Sequence, residues 1–269
     1  IPQDETASGA WGGLGVYAIG DSECRFEFDT MYVESGIGII GFDNSKLIVI
    51  GNELECELGD YAVSIRHSAE VHIDIKKIIG PDNNLASAFV WKLYSGKSFI
   101  KSDEIISSDD NTLFFENTYT GSDININVDN FTHKSTGSTH MIHNRLQQGG
   151  QITINGNIST DGSGVYTKQS TGGEFNFNGD IKAGTTAIYM ETGGNTNTTA
   201  FTANFDSNII VQGNATNAIE LASGTVNLNG SLIDVGTGST NGINVLSAST
   251  FNIGNFSIKS VGGESIIGN

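Results

Sequence analysis

A short phrase recurs eleven times along the chain: a small or polar residue, an apolar anchor, and another inward-facing residue two positions further on. The eleven anchors are Val16, Ile37, Val63, Phe89, Leu113, Met141, Val165, Ile188, Ile219, Ile243 and Ile266. The ten intervals from Val16 to Ile266 cover 250 residues, so the mean repeat is 25 residues. A repeat of this length built from strands is typical of a solenoid, in which each coil packs only against its neighbours.

Short alternating strands and glycine bends make up each repeat. Residues 152–158, 175–181 and 226–232 share one plan, in which two alternating apolar residues precede a glycine and a third apolar residue follows it. Glycine suits a corner because it tolerates positive φ and close packing. No stretch shows uninterrupted helical spacing of apolar residues. Because the coil length varies, these features predict an all-β, right-handed parallel β-helix of about eleven coils rather than a left-handed hexapeptide solenoid.

The repeat continues without a linker, which predicts one β-helix domain over residues 15–269. Residues 1–14 are expected to form an N-terminal cap or lead-in segment, with Trp11–Leu14 covering the first coil. Nothing comparable closes the C-terminal end, so the β-helix is expected to continue beyond residue 269 in the native protein.

The repeats of residues 179–189 and 217–230 resemble the passenger repeats of Gram-negative autotransporter adhesins. Phage tail-fibre and tailspike β-helices use related phrases, so the resemblance also leaves a virion protein open. It implies secretion and binding rather than a catalytic centre. The expected location is therefore the extracellular side of a bacterial cell surface, with a virion tail as the alternative.

The chain is strongly acidic, with a formal net charge of −17 at pH 7. Nucleic acid is not an expected partner, since phosphate binding needs a basic stripe and the sequence has only three arginines, Arg25, Arg66 and Arg145. No signal peptide or bilayer-spanning apolar run is present, so no direct membrane insertion by this segment is expected.

We expect no metal and no cofactor. In the strand containing Glu53, Glu55 and Glu57 the carboxylates share one face but diverge into water, whereas calcium needs oxygens that converge on one point. His140 and His143, three residues apart in a strand, are expected on opposite faces, where they cannot chelate one ion.

The two cysteines, Cys24 and Cys56, occupy different positions relative to their anchors, which favours two buried thiols over a disulfide.

No catalytic residues are predicted. Polysaccharide lyases and hydrolases with this fold need a positioned pair of carboxylates, or calcium ligands beside a basic side chain. The acidic residues of the C-terminal half stand singly along the sequence, although stacking of coils leaves a polysaccharide-degrading enzyme as an alternative.

The candidate binding residues come from the position just after each anchor, which alternation turns outward. In five successive coils this position holds a large residue, namely Val90, Phe114, Ile142, Tyr166 and Tyr189. An exposed apolar ladder of this kind often marks a contact surface. A loop that folds over the ladder, or stacking that only stabilises the coils, would also explain the large residues at these positions. Sugars stacking on the rings, or a second copy of the rod, would fit such a ladder.

Together these observations predict a non-catalytic extracellular adhesin passenger fragment. Its expected partner is a glycan or protein on a host or neighbouring cell, or a second copy of itself. A phage tail fibre is the first alternative, and a spacer without a ligand is another.

Overall fold

The computed structural model describes residues 13–81, 87–108, 111–116, 118–119, 121–134, 140–169, 172–192, 202–213, 215–222, 224–236, 241–246, 249–259, 263 and 265–268. The strands in these ranges are β1 (Gly13–Ala18), β2 (Glu23–Gly41), β3 (Lys46–His67), β4 (Glu70–Ile79), β5 (Ser87–Leu93), β6 (Lys97–Ser107), β7 (Asn111–Phe115), β8 (Asp123–His133), β9 (His140–Gln147), β10 (Gln151–Thr160), β11 (Ser163–Gln169), β12 (Glu174–Asn178), β13 (Ile181–Ala183), β14 (Ile188–Thr192), β15 (Thr202–Asp206), β16 (Ile209–Val211), β17 (Asn217–Leu221), β18 (Gly224–Asn229), β19 (Leu232–Asp234), β20 (Asn241–Val245), β21 (Ser249–Ile253), β22 (Ser257–Lys259) and β23 (Ile266–Gly268).

All strand pairings between coils in these ranges are parallel, and together they build a parallel β-solenoid of the right-handed type. The predicted fold class is therefore confirmed. The rod has about nine turns rather than the eleven coils predicted. This difference in coil count is small.

The anchors lie on one lateral face, which we call the anchor face. It is formed by β1, the C-terminal parts of β2 and β3, and then β5, β7, β9, β11, β14, β17, β20 and β23. Two predicted anchors are out of register. Ile39, not Ile37, pairs with Val63, and Ile142, not Met141, pairs with Leu113.

The other two faces are covered by single bent strands in the first half of the rod and by pairs of short strands in the second half. β10 shows the transition, because its first part pairs with β12 and its last part with β13. The bend falls at Gly156, where φ is +150° and an added Cβ would lie 1.8 Å from the carbonyl oxygen of Val128. The predicted corner role of glycine is confirmed there, since an L side chain fits neither the backbone angle nor the space.

Stacked apolar side chains fill the interior. Ile154, Phe177, Phe205 and Leu228 occupy one register position on successive coils and are at most 1% exposed. In the third segment of the predicted plan the chain has one extra residue, so Ile233 rather than Leu232 takes the inward place. The core is continuous along the rod, as nearest-neighbour packing of coils requires.

At the N-terminal end the apolar side chains are less covered: Leu14 and Phe26 are each 38% exposed. Trp11 and Gly12 of the predicted cap lie outside the described residues.

Candidate binding face

Strand register fixes which side chains lie outward on the anchor face. The position after each anchor forms a row along the rod, which we call the outer row: Ser64, Val90, Phe114, His143, Tyr166, Tyr189, Glu220 and Asn244. Phe114, Tyr166 and Tyr189 lie where the sequence predicted them, and all three are partly exposed.

Two of the five predicted ladder residues do not offer an exposed surface. The outward placement of Ile142 is wrong, because Ile142 pairs with Leu113 and Val165 and is 0% exposed in the core. Val90 belongs to the outer row by register but is only 1% exposed. The exposed ladder is therefore shorter than predicted, and His143 takes the place assigned to Ile142.

His140 and His143 lie on the same surface, so the predicted separation to opposite faces is also wrong. Strict alternation fails at this corner because Met141 and Ile142 are consecutive and both 0% exposed. The two imidazole centroids are 5.9 Å apart and nearly perpendicular. The same pair of consecutive buried residues occurs in neighbouring coils, for example Ala88 and Phe89.

The aromatic rings contact one another along the rod. The Tyr166 ring stacks on the His140 ring at 4.6 Å and on the Tyr189 ring at 5.4 Å, with interplanar angles of 15° and 5°. His143 meets Phe114 and Tyr166 edge-on, at 5.1 Å and 4.7 Å. The tyrosine ring faces are turned towards neighbouring rings, and the hydroxyl groups at their edges are directed to Glu191. The expectation that sugars stack on these ring faces therefore does not fit Tyr166.

A second row, two residues further along each strand, carries charge. This charged row consists of Lys92, Glu116, Arg145, Lys168 and Glu191. The Glu116 carboxylate accepts from Arg145 at 3.3 Å and pairs with Lys92 at 3.2 Å, while the Lys168 ammonium lies 2.7 Å from Glu191. The ion pairs link neighbouring coils, and the side chains of Arg145 and Lys168 remain 54% and 38% exposed.

Glu191 connects the two rows. Its carboxylate accepts a hydrogen bond from the Tyr166 hydroxyl at 2.6 Å and another from the Tyr189 hydroxyl at 3.1 Å. Burial alone would raise the pKa of Glu191, but the hydrogen bonds from Lys168 and the two tyrosines outweigh it and lower that pKa. Burial, followed by the nearby Glu191 charge, raises the pKa of Tyr189 to about 12, so its hydroxyl stays a donor at neutral pH.

The histidines are neutral at neutral pH. Burial lowers the pKa of His140 to about 4, against a smaller opposing effect of Glu191. Burial also lowers the pKa of His143 to about 4, helped by His140 and by the positive charges of Arg145 and Lys168. A neutral imidazole has one donor and one acceptor nitrogen. The His140 Nδ1 is buried without a hydrogen-bond partner, so His140 can offer only its Nε2 to a ligand.

We call the combined surface of Phe114, His140, His143, Tyr166, Tyr189 and the charged row the ladder face. Sequence reasoning missed its charged row and both histidines. The row was detectable, because Glu116, Lys168 and Glu191 each follow an outer-row residue by two positions. The histidines were missed because the anchor of that coil was placed one residue too early.

Other outward rows carry a different chemistry. On the next face Asn176, Asn204, Asn227 and Asn252 form a ladder in which each side-chain amide donates to the previous one at 2.7 to 2.8 Å. Such asparagine ladders hydrogen-bond to themselves and stabilise the coils. The ladder face differs from them in its aromatic rings and in charges of both signs.

The remaining predicted chemistry is distributed as follows. Cys24 and Cys56 are free thiols, of which Cys56 is buried and Cys24 partly exposed. The expectation of a buried thiol is therefore confirmed for Cys56, which is 1% exposed, and is wrong for Cys24. Within the described ranges, no three His, Cys, Asp or Glu side chains converge as ligands for a metal ion.

The fold and this surface define the class of protein as a parallel β-solenoid whose anchor face carries stacked aromatic rings beside a row of ion pairs. No protein-family model, curated protein or solved structure matches the chain. In the part of the chain that the structure describes, no helix is long and apolar enough to cross a membrane.

Proposed function

We propose that this protein is a non-catalytic, extracellular β-solenoid of the adhesin kind, and that its ladder face binds a glycan on a host or neighbouring cell. The observation that carries the proposal is the run of aromatic rings, tyrosine hydroxyl groups and exposed charges on consecutive coils from Phe114 to Glu191. Coils repeat every ~4.8 Å along the rod, so a regular polymer meets a related set of groups at each step.

The state of Glu191 does not fit the general acid of glycoside hydrolysis. A general acid for that reaction needs a carboxyl group whose pKa is raised so that it holds a proton at working pH. The pKa of Glu191 is lowered instead, and its oxygens are occupied by Lys168, Tyr166 and Tyr189. We therefore assign Glu191 the task of orienting two hydroxyl groups on the surface.

Binding to an immobilised glycan panel tests the proposal. The triple variant Phe114→Ser, Tyr166→Ser and Tyr189→Ser is expected to lose binding while its far-ultraviolet circular dichroism stays that of a β protein. Tyr32→Ser is the matched control, because Tyr32 is 55% exposed and lies outside the anchor face. Unchanged glycan binding by the triple variant would sink the proposal, and so would release of reducing sugar ends by the unmodified protein.

Light scattering on the purified chain tests the adhesin assignment separately. A passenger-type rod is expected to be monomeric in dilute solution, whereas fibre β-helices generally associate as trimers about the long axis. A trimer would contradict the adhesin assignment and favour a tail fibre.

A further inference from the structure

Charged side chains on the other faces alternate in sign from coil to coil. One row runs Glu23, Lys46, Glu70, Lys97 and Asp123. Another runs Glu53, Lys77 and Glu104. Each lysine in these rows therefore has acidic neighbours on the coils before and after it, which is the favourable arrangement for directly opposed strand residues.

The charged row of the ladder face breaks this rule. The full row reads Arg66, Lys92, Glu116, Arg145, Lys168, Glu191, so cations follow one another without an acid between them twice, at Arg66 and Lys92 and at Arg145 and Lys168. Arg66 is buried, at 9% exposure, so Arg145 and Lys168 form the pair in which both side chains are exposed. Thr167 pairs with Asn144 and Gln169 with Gln147, which places Lys168 opposite the chain just after Asn144, where Arg145 lies. Each cation pairs with an acid on its far side, at 3.3 Å for Arg145 and 2.7 Å for Lys168.

The adjacency of Arg145 and Lys168 is notable because cationic residues are rare in the C-terminal half of the chain. Residues 117–269 contain only five Lys or Arg residues, and two of them are Arg145 and Lys168. Like charges on neighbouring strand positions repel each other, and Arg145 and Lys168 are neighbours of this kind across a shift of register. An anion placed between the two cations would relieve that repulsion, and both side chains are exposed enough to reach one.

The surroundings supply neutral hydrogen-bonding groups to the same place. His143 and Tyr166 belong to the outer row on the same two coils as Arg145 and Lys168. The Tyr166 hydroxyl is directed to Glu191, and the His143 ring lies edge-on to the Tyr166 ring. If the charged group of a sugar lies between the two cations, the hydroxyl groups of that sugar lie beside His143 and Tyr166.

We propose that the gap between Arg145 and Lys168 binds the carboxylate of a uronic acid residue, so that the ligand of the ladder face is a polyuronate polysaccharide. This inference rests on the proposed function of glycan binding. A planar guanidinium matches the two oxygens of a carboxylate, and Lys168 adds a point charge on the other side.

The charge balance favours a carboxylated over a sulfated polymer. The row from Glu116 to Glu191 holds two positive and two negative side chains, on a chain whose net charge is −17. A polymer with one carboxylate per sugar places a single negative charge near the Arg145 and Lys168 pair. A densely sulfated polymer carries more negative charge per sugar and is repelled more strongly by the acidic rod.

Affinity measurements by isothermal titration calorimetry or microscale thermophoresis test this inference. The probes are an oligomer of galacturonic acid, a neutral galactose oligomer of the same length and a sulfated galactose oligomer. The unmodified protein is compared with Arg145→Gln plus Lys168→Gln, and with the control Lys134→Gln plus Lys182→Gln. The control removes the same charge from two exposed lysines outside the ladder face.

We expect the uronate oligomer to bind most tightly and to lose about tenfold or more in affinity in the Arg145 and Lys168 variant, since hydrogen bonds to charged groups are the strong ones. The control and the neutral oligomer should show no such loss. Should the double variant fail to fold, the single variant Arg145→Gln is measured in the same way.

The outcomes separate the two proposals. Binding of the neutral oligomer as tightly as the uronate, preference for the sulfated oligomer, or an equal loss in the control would overturn the uronate inference and leave glycan binding standing. Failure of the unmodified protein to bind any glycan would overturn glycan binding, and the uronate inference with it.

Discussion

Acidification is expected to destabilise the coils of the ladder face through His140 and His143. Burial lowers the pKa of both imidazoles to about 4, whereas an unfolded histidine titrates near 6.5. Because the folded-state pKa lies below the unfolded one, the stability associated with the neutral rings is complete above about pH 6.5 and is lost as the pH falls towards 4. Proton linkage between these two values gives about 2 kcal/mol per imidazole between pH 7 and pH 5.

Neighbouring groups set the sign of this effect. Arg145 and Lys168 oppose protonation of His143, while Glu191 favours protonation of both histidines. The lowered pKa of Glu191 acts in the same direction at still lower pH, because a carboxylate held ionised by donors loses its stabilisation when it takes a proton.

The assay is the urea midpoint at pH 7 and pH 5, combined with amide hydrogen exchange of β9, β11 and β14. Local exchange is needed because long repeat arrays do not always unfold in one step. In the variant His140→Phe plus His143→Phe, the loss of stability between pH 7 and pH 5 should shrink by up to about 4 kcal/mol, twice the single-imidazole value. Phe205→Leu is the control, since it weakens core packing at both pH values and its ring contacts are with Phe175 and Phe177 rather than with a histidine. An unchanged pH difference in the double histidine variant would refute the argument.

Two further predictions concern the core. Gly156→Ala should lower the free energy of unfolding by more than about 2 kcal/mol, measured from the urea midpoint, because its Cβ would lie 1.8 Å from the Val128 oxygen. Gly20→Ala has a positive φ but no atom within 4 Å of the added Cβ, so a loss as large as that of Gly156→Ala would contradict the steric explanation. Cys24 should react with a thiol reagent in the folded protein and Cys56 only after unfolding, because Cys56 is 1% exposed and burial raises its pKa to about 12. Rapid labelling of both thiols in the folded protein would disprove this.

The solenoid fold was predictable because each coil repeats the same physical requirements. An anchor must fill the core, and a corner must turn without a side chain, so Ile154 and Gly156 are informative even in isolation. The register was less predictable, because apolar residues flank the anchor on both sides. Ile37 and Ile39 both satisfy the phrase and both are buried, and only pairing with Val16 and Val63 selects Ile39.

The candidate site was predictable only in part, because it depends on that register. Tyr166 and Tyr189 stand next to unambiguous anchors, and their outward placement follows directly. Alternation of inward and outward residues predicts that Val90 points outward. It does not predict that neighbouring groups cover this side chain, which is only 1% exposed. The ion pairs of the charged row join residues 23 to 29 positions apart, so they become visible only after the coils are aligned.

The small residue before each anchor has a steric cause, and its exception lies in the ladder face. At Gly38 and Gly164 an added Cβ would come within 2.6 Å and 2.4 Å of a carbonyl oxygen on the next coil. Alanine or threonine fits this position in other coils, but Met141 occupies it between His140 and Ile142. Immediately after Met141 the strand pairing shifts between Asn144 and Gln147, where Arg145 comes to lie beside Lys168. Met141, the shift of register and Arg145 all lie in β9, and Lys168 lies on the neighbouring strand β11, which is why we assign the ligand to this coil and its neighbour.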